Sequence, residues 1–159
     1  MTRKIRIVVA CAAALVLLAA AATVWAAKGR QGTVPIPVTS GNIKNCEFLT
    51  LGTVQIKVFN PCATGTASLI PDPLGSLAPA PNELSFLADT VSVKLDKVAD
   101  LQVCYPYTQE IDNKGGKVYD YDEDSKSWNI VEATVSGNPS LICIVEKGTT
   151  AGSYALMGK

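Results

Sequence analysis

Apolar and polar residues alternate with a period of two along much of this chain. Val54, Ile56 and Val58 are separated by Gln55 and Lys57. Val91, Val93 and Leu95 alternate with Ser92 and Lys94, and Leu101, Val103 and Tyr105 with Gln102 and Cys104. A period of two is the mark of a strand with one face buried. These runs predict a strand over residues 54–58 and two more between Asp89 and Tyr107. Gly52-Thr53 predicts a turn or bulge before the first of them, and Pro61 ends it. Further strands are predicted at 67–70, around Tyr119 and Tyr121, from Trp128 to about Val135, and twice more at 140–148 and 152–159. After Ala27 no apolar period of three to four residues persists long enough for a substantial helix. Many short strands separated by turn signals define an all-β chain, and an antiparallel β-sandwich is the expected architecture.

The first 27 residues follow different rules. Arg3, Lys4 and Arg6 precede an uncharged run from Ile7 to Ala27. That is the layout of an export signal, with small residues for cleavage after Ala26 or Ala27. The run is longer than the roughly 7–15 residues of a signal core and approaches the roughly 20 needed to span a bilayer. Residues 1–27 are therefore expected to form a helical signal peptide or an uncleaved membrane anchor. Residues 28–42, rich in Gly, Pro and Thr, read as a linker leading into an edge strand, because Pro35 and Pro37 cannot donate ladder hydrogen bonds. Residues 43–159 are the expected β-sandwich domain. Either reading of the leader places that domain outside the cytoplasm, secreted or at the cell surface. The membrane is then a partner only through an uncleaved N-terminal segment.

Charge and cysteine content narrow the function. The chain balances 14 basic against 14 acidic residues, and removing Arg3, Lys4 and Arg6 leaves 11 against 14. No basic cluster remains, which argues against nucleic acid as a partner. Cys46, Cys62, Cys104 and Cys143 are an even set in an exported domain, the pattern of two disulfides. Four cysteines allow three connectivities. Cys46–Cys62 with Cys104–Cys143 is preferred, because each pair brackets neighbouring strand patterns. The chain has no histidine, which removes the Ser-His-Asp and Cys-His arrangements. A Ser–Lys pair or a two-carboxylate glycosidase site needs none, yet the serines, lysines and carboxylates form no recognisable constellation. No cofactor motif is present.

The segment from Lys117 to Val131, Lys-Val-Tyr-Asp-Tyr-Asp-Glu-Asp-Ser-Lys-Ser-Trp-Asn-Ile-Val, poses the sharpest choice. Asp120, Asp122 and Asp124 fit the first, third and fifth positions of a calcium loop. Ser125 stands where such a loop needs glycine, Trp128 where it needs an oxygen, and Glu132 falls one residue beyond the bidentate position. A β-hairpin accounts for more. It has Tyr119 and Tyr121 packed inward, Asp120 and Asp122 facing water, Glu123 to Lys126 forming the turn, and Trp128 buried between two sheets. Tyr107, beside Pro106 and a turn at Gln109-Glu110, is the aromatic residue expected to be exposed. The Pro-rich stretch from Ala63 to Leu84 reads as an irregular, solvent-facing connection with one short strand.

The order of a Tyr-rich strand (Tyr119, Tyr121), an acidic turn (Asp122, Glu123), a Trp strand (Trp128) and a closing Ser153-Tyr154-Ala155-Leu156 strand resembles the C-terminal half of immunoglobulin-like β-sandwich modules of bacterial surface and exported proteins. The resemblance covers less than half of the chain. It implies an immunoglobulin-like sandwich, an exported bacterial location and a structural or interaction role, with no catalytic residue. The expected function is thus a non-enzymatic module that meets a protein or glycan at the cell surface. The alternatives are a calcium-binding surface module using the acidic loop 120–132, and a histidine-free hydrolase.

Overall fold

A computed structural model describes residues 39–159, apart from 45, 72–76 and 138; the expected leader and most of the expected linker lie outside the described residues. The described residues are all-β, with one five-residue helix. Its strands are β1 (Thr39–Ile43), β2 (Phe48–Leu51), β3 (Val54–Phe59), β4 (Gly65–Ile70), β5 (Ser85–Phe86), β6 (Thr90–Pro106), β7 (Lys117–Asp122), β8 (Ser127–Ile130), β9 (Thr134–Ser136) and β10 (Leu141–Gly158). The helix, α1 (Gln109–Asn113), is capped by the Thr108 hydroxyl, which accepts from the Ile111 amide. It occupies the stretch read as turn, ahead of Gly115 at φ 62°. The first strand starts inside the expected linker, because Thr39–Ile43 finds an antiparallel partner in Gly65–Leu69.

Every pairing is antiparallel, and two long strands organise the sheet. The expectation of four separate strands at 89–107 and 140–159 is corrected: β6 has 17 residues and β10 has 18, and each continues through a bend. The first half of β6 lies between β4 and the end of β10, with β7 and β8 beyond. Its second half lies between β3 and the start of β10, with β2 and β9 at the margins. The bend is a register change. Between the pairs Thr149↔Ala99 and Ala151↔Lys94, β6 supplies residues 95–98 against residue 150 of β10. Extra residues on one strand of a pair bend it and sharpen its twist. Asp100 fixes the corner: its buried carboxylate accepts from the Gly148 amide at 3.0 Å and from Asn60 Nδ2 at 3.1 Å. Gly148 has φ 66°, a left-handed conformation that glycine adopts without a Cβ clash.

Both halves of the sheet contribute to one interior, an arrangement consistent with a β-sandwich. The predicted alternations supply it directly: Val54, Ile56 and Val58 from β3, Leu101, Val103 and Tyr105 from β6, Tyr154 and Leu156 from β10. The Tyr105 hydroxyl is satisfied inside this core, donating to the Tyr154 carbonyl at 2.6 Å. A second, smaller cluster of Tyr121, Trp128, Ala155 and Met157 packs with Leu77, Ala78, Ala80, Leu84 and Phe86. It lies on the opposite face of β7 and β10, because odd and even residues of a strand point to opposite sides. Much of the stretch read as a solvent-facing connection therefore forms β4 and a strap, residues 77–86, over that outer face.

Candidate functional site

The acidic segment forms the expected hairpin. β7 and β8 pair from Tyr119↔Ile130 to Asp122↔Ser127, with Glu123 to Lys126 as the loop. The chemistry of Asp122 makes the turn. Its Oδ1 accepts from the amides of Asp124 at 2.8 Å and Ser125 at 3.3 Å. The Ser125 hydroxyl, followed by these amides, holds the Asp122 carboxyl below its usual range. Lys126 closes the loop at φ 53° and pairs with Glu123 at 2.7 Å, which raises the lysine above its ordinary value. Among the described residues, no three carboxylate, cysteine or histidine side chains converge as a metal-holding group.

Two expectations for this hairpin are corrected. Trp128 is buried, but not between the two halves of the sheet. It stands on the outer face, 5.1 Å from Tyr121 and 5.8 Å from Phe86 between ring centroids. Its indole Nε1 donates to the Ala78 carbonyl at 2.8 Å. Tyr119 and Tyr121 turn to this same face, since the even-numbered positions of β7, with Val118, face the main core.

Asp120 does not simply face water either. It shares its strand face with Val118 and sits across from Tyr154. Glu146, in phase with the buried Ile142 and Ile144 of β10, reaches the same rim, where it accepts a hydrogen bond from the Tyr154 hydroxyl. Burial, then the Glu146 charge, pushes the Asp120 carboxyl up to about 6. Burial, then the bond to Glu146, pushes the Tyr154 hydroxyl up. Gly152 makes room for this arrangement: a Cβ there would run into the Tyr154 ring and hydroxyl. Asp120, Glu123, Glu146 and Lys94 line an open cleft of about 290 Å³ together with Ser92 and Ser153. Such a rim can take up and release a proton near pH 6, with Glu146 already engaged by Tyr154. Sequence reasoning missed Glu146. The signal was a carboxylate at an apolar-phase position, two residues beyond Ile144.

The remaining candidates are placed as follows. Cys46 meets Cys62 and Cys104 meets Cys143 at disulfide-bonding distance, with Cα–Cα separations of 5.0 and 4.1 Å. This is the preferred connectivity. Cys104 and Cys143 are direct cross-strand partners on β6 and β10. Tyr107 is half-buried, and its hydroxyl donates to Asp112 at 2.8 Å, correcting the expectation that it is exposed. Tyr105 and Tyr154 are core residues. Compared with family models, characterised proteins and solved structures, the chain matches none.

Proposed function

We propose that this chain is an exported, non-enzymatic module of immunoglobulin-like β-sandwich type, with a structural or binding role at the bacterial cell surface or in the extracytoplasmic space. The observation that carries the reading is the meeting of two cysteine pairs within a small all-β body. Paired cysteines belong to oxidising compartments, where small domains use them to supplement a limited core. The uncharged run from Ile7 to Ala27 behind a basic start supports the same route. The residues that carry the resemblance to exported modules support the immunoglobulin-like part. Tyr119, Tyr121 and Trp128 lie on adjoining strands, beside the closing strand that bears Ser153 to Leu156. The partner is a protein or glycan of the cell surface.

Cell fractionation combined with mass spectrometry of the mature protein tests this. The expected result is an extracytoplasmic protein, cleaved after Ala26 or Ala27 or anchored intact, in which Cys46, Cys62, Cys104 and Cys143 do not titrate after denaturation without reductant; an intact chain would add only the Cys11 thiol of its leader. A cytosolic protein with four free thiols in the mature region would overturn the reading.

A further inference from the structure

The outer face of β7, β8 and β10 carries aromatic side chains that a sandwich interior does not require. Trp128 is flanked by Tyr121 and Phe86, and its indole N–H, a donor without acceptor capacity, is used on one backbone carbonyl, that of Ala78. What lies on it is Leu77-Ala78-Pro79-Ala80-Pro81, from the strap. Ala78 and Ala80 are half-buried against the cluster while Pro79 is exposed. The composition of the occupant defines what the face accepts. Each proline fixes its own φ and biases the preceding alanine towards an extended conformation. Pro79 and Pro81 bring no N–H, so the segment offers a carbonyl at every residue while having fewer donors of its own to satisfy. Small alanines let the backbone come close enough for the 2.8 Å indole bond. An aromatic groove that docks a preformed, proline-containing chain is a recurring recognition mode, effective because little conformational freedom is lost on binding.

We propose that this face is a binding groove for an extended Ala-Pro-alternating peptide of a partner protein, and that residues 77–81 occupy it in cis. The proposal rests on the binding-module reading above and names its partner class. The strap is placed to exchange. Among the described residues it joins no ladder before β5, and its backbone bond in this stretch, Leu84 N to Pro81 O at 3.0 Å, is internal to it. Segments with few bonds to the body open at a lower free energy than the core. While the cis segment is seated, the apparent affinity for a peptide in trans is reduced by the fraction of molecules that are open.

The test uses full-length protein in a Trp25→Phe background, so that Trp128 is the one indole reporter. A peptide of the sequence of residues 77–82 is titrated into this protein and into a Leu77→Ser, Leu84→Ser variant that loosens the strap. The expected result is a saturable change in Trp128 fluorescence, with at least tenfold tighter binding to the loosened variant. The same peptide with both alanines changed to valine should fail to bind over the same range. A folded loosened variant that does not bind the peptide, or binds the valine peptide equally, overturns the proposal. Concentration-dependent dimerisation without peptide binding also overturns it, by assigning the groove to the strap of a second copy. Hydrogen exchange in the unloosened protein gives an independent measurement should the variant not fold. The Trp128 indole proton should be at least a hundredfold less protected than the amides of Leu101 and Val103, and equal protection would mean a strap that opens only with the whole fold. Failure of the peptide experiments leaves the exported-module reading standing, because fractionation and thiol titration test it without any peptide.

Discussion

The two halves of the sheet share one interior but protect their outer faces differently. The half built on β2, β3 and the start of β10 carries Cys104 and Cys143 side by side, both buried and on the face opposite Val103 and Ile144, with Cys46 and Cys62 meeting near its margin. The half built on β4, β7, β8 and the end of β10 has no cysteine. Its outer face is covered by an aromatic cluster and a strap. A covalent link restricts the unfolded chain and leaves the native surface free. A packed strap stabilises the native surface itself, and is lost whenever that strap lifts. The first device suits permanence and the second suits exchange.

The shared interior gives the largest expected effect. Tyr105→Ala removes a fully buried ring and leaves the Tyr154 carbonyl without its donor. It should cost about 5 kcal/mol, enough to unfold a domain of ordinary stability, seen as lost near-ultraviolet dichroism. A variant that melts normally would show that the halves do not depend on a common core.

Next come the cysteine pairs, where the loop-closure argument separates the two bonds. With a sequence separation of 39 for Cys104 and Cys143 against 16 for Cys46 and Cys62, removal should cost about 4 and about 3 kcal/mol. Denaturant melts of Cys104→Ala, Cys143→Ala and Cys46→Ala, Cys62→Ala proteins measure this. The reverse order would mean that the unfolded chain is not the state being restricted.

Trp128→Ala should cost about 3 kcal/mol, the low end for a buried tryptophan, because the strap can settle into the space. A loss as large as that of Tyr105→Ala would make the outer cluster a second core and remove the contrast between the halves.

A smaller effect is expected at the rim. The folded Asp120 carboxyl is raised from 3.8 to about 6. Between these values the folded state holds more protons than the unfolded one. The contribution of Asp120 to stability should therefore fall as pH rises from about 4 to about 6, and level off above. A shift of this size would approach 3 kcal/mol if undiluted, but the group is partly exposed and solvent screening reduces it to about 1 kcal/mol. Asp120→Asn should erase the slope and be the more stable protein at pH 7.5 by that amount. An unchanged slope would assign the pH dependence to another group. Smallest of all, Lys126→Gly relieves the residue at φ 53° and should raise the melting temperature slightly, because the exposed pair it loses with Glu123 contributes little. Destabilisation would show that this exposed pair outweighs the backbone strain.

The strands were legible in the sequence wherever one face is buried and the other wet, as in Val54, Ile56 and Val58. The bends of β6 and β10 were not. They depend on Asp100 reaching Gly148 and Asn60, which lie 48 and 40 residues away in the chain. The orientation of Trp128 was misread because alternation was assumed to have one apolar face. The consecutive apolar residues Tyr154, Ala155, Leu156 and Met157 carried the contrary signal, since a strand buried on both sides does not alternate. Within the candidate site, the hairpin was legible from Tyr119, Asp122 and Trp128, and the preferred cysteine pairing from the strands between its members. The coupling of Asp120 to Glu146 and Tyr154 was not, because it is made by register between β7 and β10 rather than by proximity in sequence.

The position of β10 in the sheet also sets an order of events. β10 pairs with β5, β6, β7 and β9, yet it follows all of them in the chain. Until Leu141–Gly158 has emerged, β6 lacks the neighbour that runs along nearly its whole length, and β7 has only the short hairpin with β8. Long-range pairings of this kind form late, since the closure entropy of the intervening chain must be met before they contribute. A chain still being synthesised therefore lacks the central strand of this sheet until its end. The sheet is complete only when its last strand takes its place in the middle.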